Sequence, residues 1–190
     1  MDHTKGTFMI RLITALFCLL ANVSVANTVH RLISSMQEID ANVVFMRHAL
    51  APGVGDPSNF QIGNCSTQRN LDGAGRAQAV AIGHQMRKAG IAFSRILSSK
   101  WCRCLETAQL LDMGLVTPFD GLNSFFQGHA DRQTTLNMLR DEISRISTAP
   151  VLLVTHQVVI TAITQQSALS GELVLYNTET GQSRRLHLVP

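Results

Sequence analysis

The sequence predicts an α/β domain built on a mostly parallel sheet, on three observations. The short, nearly uninterrupted apolar runs Asn42–Met46, Ile96–Leu97 and Val151–Val154 have the pattern of strands buried on both faces. Segments with helical apolar spacing alternate with them, which favours layers of helix packed on sheet. Each run ends in polar, chemistry-bearing residues: Arg47-His48, Ser98-Ser99 and Thr155-His156. In open parallel sheets, ligands bind beyond the C-terminal ends of the strands.

The elements follow in chain order. Val29, Leu32, Ile33 and Met36 recur at helical spacing, so 27–38 reads as a surface helix ahead of the first strand. After that strand, Ala51 to Asn70 contains Pro52, Gly53, Gly55, Pro57 and Gly63 and reads as a long loop. A helix over Asp72–Lys88 follows, with Asp72 as N-cap, Gly90 as stop, and an apolar side of Ala77, Val80, Ala81 and His84 widened by Ala79, Ile82 and Met86. Trp101–Leu111 reads as a helix directly after the two serines, and Asp131–Ile146 as an amphipathic one. The helix Val158–Ser167 follows the third strand, and Leu173–Tyr176 with Leu186–Leu188 reads as a closing pair of strands. No repeat or linker divides residues 27–190, so they are expected to form one domain.

The chain has 190 residues, of which 45% are hydrophobic and 15% charged, a globular composition. A net charge of +3 without basic runs or aromatic platforms sets nucleic-acid binding aside. Residues 1–26 read as a cleaved signal peptide: Lys5 and Arg11 precede the apolar stretch Leu12–Ala21, and Ser24 and Ala26 fit a cleavage site before Asn27. The stretch is shorter than the ~20 residues of a span, so no stable membrane insertion is expected after cleavage. The expected location is periplasmic or secreted. There Cys65, Cys102 and Cys104 would give one disulfide and one thiol, with Cys65 bridged to Cys102 or Cys104. Two close cysteines and one distant one make a poor zinc signature, and no metal is expected.

A strand-end histidine alone is more often structural than catalytic, and Arg103 alone would be a helix-surface charge. Together, Arg47, His48, Arg103 and His156 make a phosphate pocket. Neutral His48 can attack phosphorus, because nearby Arg47 and Arg103 disfavour its protonated form. The two guanidiniums can give paired donors to phosphate oxygens, and His156 adds a further donor. Gln68 and Arg69 lie in the loop facing this site, as substrate contacts or as loop packing.

These segments resemble the signatures of the histidine phosphatase superfamily. Arg47-His48-Ala49 is similar to the Arg-His-Gly of its first strand, and Ser98 to Ala108 to its Ser-Ser-Pro-Leu-x-Arg-Ala-x-x-Thr-Ala. Thr155-His156 matches the end of its later strand, and Arg69 to Ala79 its Leu-Thr-x-x-Gly-x-x-Gln-Ala helix start. The resemblance implies a three-layer α/β/α sandwich of the phosphoglycerate mutase-like kind. It implies a metal-independent phosphomonoesterase with no cofactor, in which His48 forms a phosphohistidine that water hydrolyses. The substrate would be a small phosphorylated molecule, with a phosphosugar expected by similarity to small exported members that act on lipopolysaccharide core heptose phosphates.

The departures concern the general acid. Leu122–His129 holds no carboxylate where the mutase-like branch has a glutamate, and Gln157 stands where the acid-phosphatase branch has an aspartate. Asp120, Asp131 and His129 are the nearby candidates. Two other readings follow: a phosphate- or phosphosugar-binding relative without turnover, and a protein-phosphohistidine phosphatase, against which the expected export argues. The extra methyl of Ala49 in place of glycine should leave the loop usable.

Overall fold

Six strands form a single sheet in the order β3-β2-β4-β1-β5-β6 in a computed structural model that describes residues 30–147 and 149–189. The strands are β1 Val43–Arg47, β2 Arg95–Ser98, β3 Val116–Pro118, β4 Val151–Thr155, β5 Leu173–Tyr176 and β6 Ser183–Leu186. β1 to β4 run parallel, β5 is antiparallel to β1, and β6 is antiparallel to β5. The helices are α1 over 30–38, α2 Gly73–Lys88, α3 Cys102–Leu111, α4 Arg132–Ile143 and α5 Gln157–Thr164. The expected segment 1–26, with Cys18, and residues 27–29 of the first helix lie outside the described residues.

The alternation of strand side chains divides the core into two layers. Val44, Met46, Leu152 and Val154 point to one face, where Leu32 of α1, Ile82 and Met86 of α2 and Ala108 and Leu111 of α3 cover them. Val43, Phe45, Val151 and Leu153 point to the other, under Leu139 and Ile143 of α4 and Val159 and Ile160 of α5. The result is the expected three-layer α/β/α sandwich.

Several boundaries differ from the sequence reading. α2 buries Gly75, Ala79, Ile82, Gly83 and Met86, whereas Val80 and His84 are exposed. Two glycines set this face: a Cβ at Gly75 would lie 1.9 Å from the Leu50 carbonyl oxygen, and one at Gly83 2.0 Å from that of Leu111. Counting only apolar side chains overlooks such a contact. Asp131 is the N-cap of α4, accepting from the Thr134 amide at 2.7 Å, and that helix ends at Ile143 rather than Ile146. α5 stops at Thr164 because Gln165 turns left-handed. The last strand is Ser183–Leu186 instead of Leu186–Leu188, its register set by Leu173 facing Leu186. β3 was not anticipated: three residues ending in Pro118 carry no periodicity, and an edge strand tolerates the missing donor.

The topology places the site. β4 lies between β1 and β2, so the C-terminal ends of these three strands are adjacent. Residues 48, 99 and 156, far apart in the chain, leave the sheet at one point.

Candidate active site

His48 follows β1 directly, and its amide donates to the Thr155 carbonyl at 2.9 Å. The side chain is 2% exposed. Nδ1 lies 2.8 Å from the Ala49 carbonyl oxygen, which can only accept, so Nδ1 carries the proton and Nε2 the lone pair. Ala49 is buried against Ala51, Leu71 and Ala79, and its amide donates to Thr107 Oγ1 at 3.0 Å. Its methyl group is packed in the core beneath the loop. Burial, followed by the charge of Arg103, lowers the His48 pKa to about 3. The imidazole is therefore neutral at physiological pH, with its lone pair at Nε2.

Arg103, on the first turn of α3, donates from Nε to that lone pair at 3.3 Å. Its Nη1 and Nη2 donate to the two oxygens of Asp56 at 2.8 and 3.1 Å. Both side chains of this pair are 4% exposed. Asp56 also accepts from the Arg69 amide and Trp101 Nε1, each at 3.0 Å. Burial acts to raise the Asp56 pKa, but these hydrogen bonds and the Arg103 charge outweigh it and hold the carboxyl below its ordinary value. Asp56 was not singled out by sequence, because one acid in a Gly/Pro-rich loop shows no period or motif. The only signal available was electrostatic: a cluster of buried arginines requires an anion nearby.

Arg47, at the end of β1, donates from Nη1 to Gln157 Oε1 at 3.1 Å and to the Ala168 carbonyl at 2.9 Å. Its buried Nε has no partner among the described residues. Arg69 donates from Nε to Gly55 O at 2.9 Å and from Nη1 to Ala51 O. His156 is the N-cap of α5. Its Nε2 lies 3.0 Å from Ser99 Oγ and 3.4 Å from Cys104 Sγ. Burial pushes the Cys104 thiol up to about 12, so it keeps its proton, and burial lowers the His156 pKa well below its ordinary value. The two histidine rings meet edge to face, 5.5 Å between centroids.

These groups line a pocket of about 370 Å³ that includes Arg47, His48, Arg69, Arg103, His156 and Gln157. Three guanidiniums less the Asp56 carboxylate leave two positive charges facing neutral histidines. Two charges match a phosphomonoester dianion.

Other expected site residues are placed elsewhere. Gln68 does not line the pocket; its Oε1 accepts from the Cys102 amide and its Nε2 donates to Gln61 O, both at 2.9 Å. It caps α3, whose own N-cap, Trp101, offers no side-chain acceptor. None of the three acid candidates lines the pocket either. Asp120 pairs with Lys100 at 2.7 Å, Asp131 caps α4, and His129 packs on Phe60 with 4.3 Å between ring centroids. Among the described residues the pocket wall holds no carboxylate. Cys65 is bonded to Cys102, which excludes the Cys104 alternative and ties the Ala51–Asn70 loop to the start of α3.

No protein-family model matches the sequence, and no curated protein does. Solved structures match its fold. The protein histidine phosphatase SixA, in complex with tungstate, is 15% identical and covers 76% of this chain and 94% of its own, with a TM-score of 0.53. A putative phosphohistidine phosphatase SixA from Agrobacterium tumefaciens is 19% identical, over 78% and 96%, with a TM-score of 0.54. A mycobacterial glucosyl-3-phosphoglycerate phosphatase is 16% identical, over 76% and 96%, with a TM-score of 0.53. The chain has the fold of the histidine phosphatases, the phosphoglycerate mutase-like fold.

Proposed function

We propose that this chain, which folds as the histidine phosphatases do, is a phosphoric monoester hydrolase acting through a phosphohistidine on His48. One observation carries the reading: the neutral His48, its Nδ1 proton held by Ala49 O, shares a doubly cationic pocket with Arg47, Arg69 and Arg103. In the first displacement Nε2 attacks phosphorus, the P–N bond forms, and the ester P–O bond breaks as the alkoxide leaves and takes a proton from solvent. In the second, water attacks the same phosphorus, the P–N bond breaks, and phosphate departs with His48 restored. Arg47, Arg69 and Arg103 hold the equatorial oxygens, where charge is stabilised without rearrangement. His156 lines the same pocket, its ring fixed by the contacts of Nε2 with Ser99 Oγ and Cys104 Sγ.

The substrate is a small phosphorylated molecule, a phosphosugar by the sequence expectation. The arginines supply the positive charge, so turnover should continue in EDTA. No wall carboxylate is present to protonate the leaving oxygen, and a missing general acid costs about 10²–10⁴-fold. p-Nitrophenyl phosphate, whose leaving group needs no proton, should therefore be hydrolysed about 10²–10⁴-fold faster than an alkyl phosphate. Steady-state rates on both esters with EDTA present test this. A folded protein that binds phosphate but turns over neither ester would overturn the reading in favour of a binding relative.

Export is part of the proposal. It is supported by the leader-like residues 1–26 and by a bridge between Cys65 and Cys102, a bond that persists in oxidising compartments. N-terminal sequencing of the protein recovered from the periplasm or medium should begin at Asn27. Recovery of intact chain from the cytoplasm alone would sink the export and revive the protein-phosphohistidine reading.

A further inference from the structure

The pocket has a second part that the chemistry at phosphorus leaves unused. Val54, Phe126 and Val158 line it together with the arginines, from three different segments: the Ala51–Asn70 loop, the turn Phe126–Gly128 and the first turn of α5. Val54 is 90% exposed and Phe126 47%. Isolated surface apolar residues need no explanation, but exposed ones converging on one cavity mark a contact surface.

This rim is preformed. Gln127, beside Phe126, takes a left-handed backbone with φ of 61° that only glycine adopts freely. Its side chain crosses to the opposite loop, where Oε1 accepts from the Asp56 amide at 2.8 Å and Nε2 donates to Asp56 O at 3.4 Å. A Cβ at Gly55 would lie 2.7 Å from that Oε1, so the crossing requires glycine there. The turn carrying Phe126 and the loop carrying Val54 are thereby held together. Several polar wall groups outside the arginines and histidines are already engaged within the protein. Gly55 O accepts from Arg69, Gln157 bonds Arg47 and Ser167, and Ser124 Oγ accepts from the Phe126 amide.

We infer that Val54, Phe126 and Val158 form a specificity subsite for an apolar or aromatic group next to the phosphate. The natural substrate is then a phosphomonoester of an apolar alcohol. A phosphosugar qualifies only by presenting an apolar substituent to this rim. The inference rests on the reading of the cationic pocket as a phosphomonoester site.

Non-hydrolysable phosphonates test the rim independently of turnover. Calorimetry of the purified protein should give 2-naphthylphosphonate about tenfold tighter binding than phenylphosphonate, because the added ring is buried against the rim. Phe126→Ala combined with Val54→Ser should bring the two affinities together, while binding of inorganic phosphate, which presents nothing to the rim, changes little. Both positions are exposed, so the fold should be kept, and circular dichroism checks it. Equal affinities for the two phosphonates in the unaltered protein would overturn the subsite, as would a naphthyl preference that survives both substitutions. Failure of both phosphonates to bind would instead strike the phosphomonoester reading, and the subsite with it. Hydrolysis of p-nitrophenyl phosphate beside equal phosphonate affinities would leave that reading standing and remove only the subsite.

Discussion

His48→Ala is expected to lower kcat on p-nitrophenyl phosphate by about 10⁴-fold or more, since loss of a covalent nucleophile removes the reaction path itself. Phosphate binding should persist in calorimetry, because Arg47, Arg69 and Arg103 remain and the removed ring is uncharged. Retained turnover would exclude His48 as the nucleophile. The same histidine gives the protein a pH signature. His48 and His156 are both held below the ordinary histidine pKa of about 6.5, first by burial and then by Arg103. Below that value the unfolded chain takes up protons that the folded protein refuses, so stability is lost as pH falls. The window runs from about pH 6.5 down to about 3, where His48 itself protonates. His48 contributes roughly 1.4 kcal/mol per pH unit within it, and His156 acts in the same direction. Urea unfolding at pH 7, 6 and 5 should show this slope, and His48→Ala should flatten it. In NMR spectra His48 should not titrate between pH 8 and 5, and a midpoint near 6.5 would contradict the environment described for it.

Asp56→Ala is expected to carry the largest stability cost of any single substitution in the site. It leaves the Arg103 charge buried without its anion, and the Trp101 indole and Arg69 amide without an acceptor. Removing one partner of a buried ion pair costs about 3–5 kcal/mol. Urea denaturation at neutral pH measures it. Catalysis should suffer too, because Arg103 reaches His48 Nε2 only while Asp56 holds its other two nitrogens. A displaced guanidinium should lower kcat on the order of 10²-fold. Asp56→Asn, which keeps one acceptor and loses the charge, should fall between the parent and Asp56→Ala in both measurements. An Asp56→Ala protein as stable and as active as its parent would show that the pair does not position Arg103.

The alternation of elements and the strand-end motifs were legible because they are local. The runs at Val43–Met46 and Val151–Val154 are apolar on every residue, which only a strand buried on both faces requires. Asp72 caps its helix as read, its carboxylate oxygen accepting from the Gly75 amide at 2.7 Å. Elements without a local signature were missed or misplaced. β3 is too short for a period, the buried face of α2 depends on two glycines meeting backbone oxygens, and the last strand takes its register from β5. The role of Gln68 could not be read either, since it depends on where the Cys102 amide lies.

By itself the sequence determined the periodicity of the core, the order of the layers and the cationic and imidazole groups that leave the strands. Each of these depends on residue type at short spacing. Tertiary structure decided which charges meet. Whether Arg103 is a surface charge or a buried clamp turns on Asp56, 47 residues away and brought to it by the loop that the Cys65–Cys102 bond ties down. Electrostatic compensation acts through space, over a few ångströms, and leaves no regular spacing along a chain.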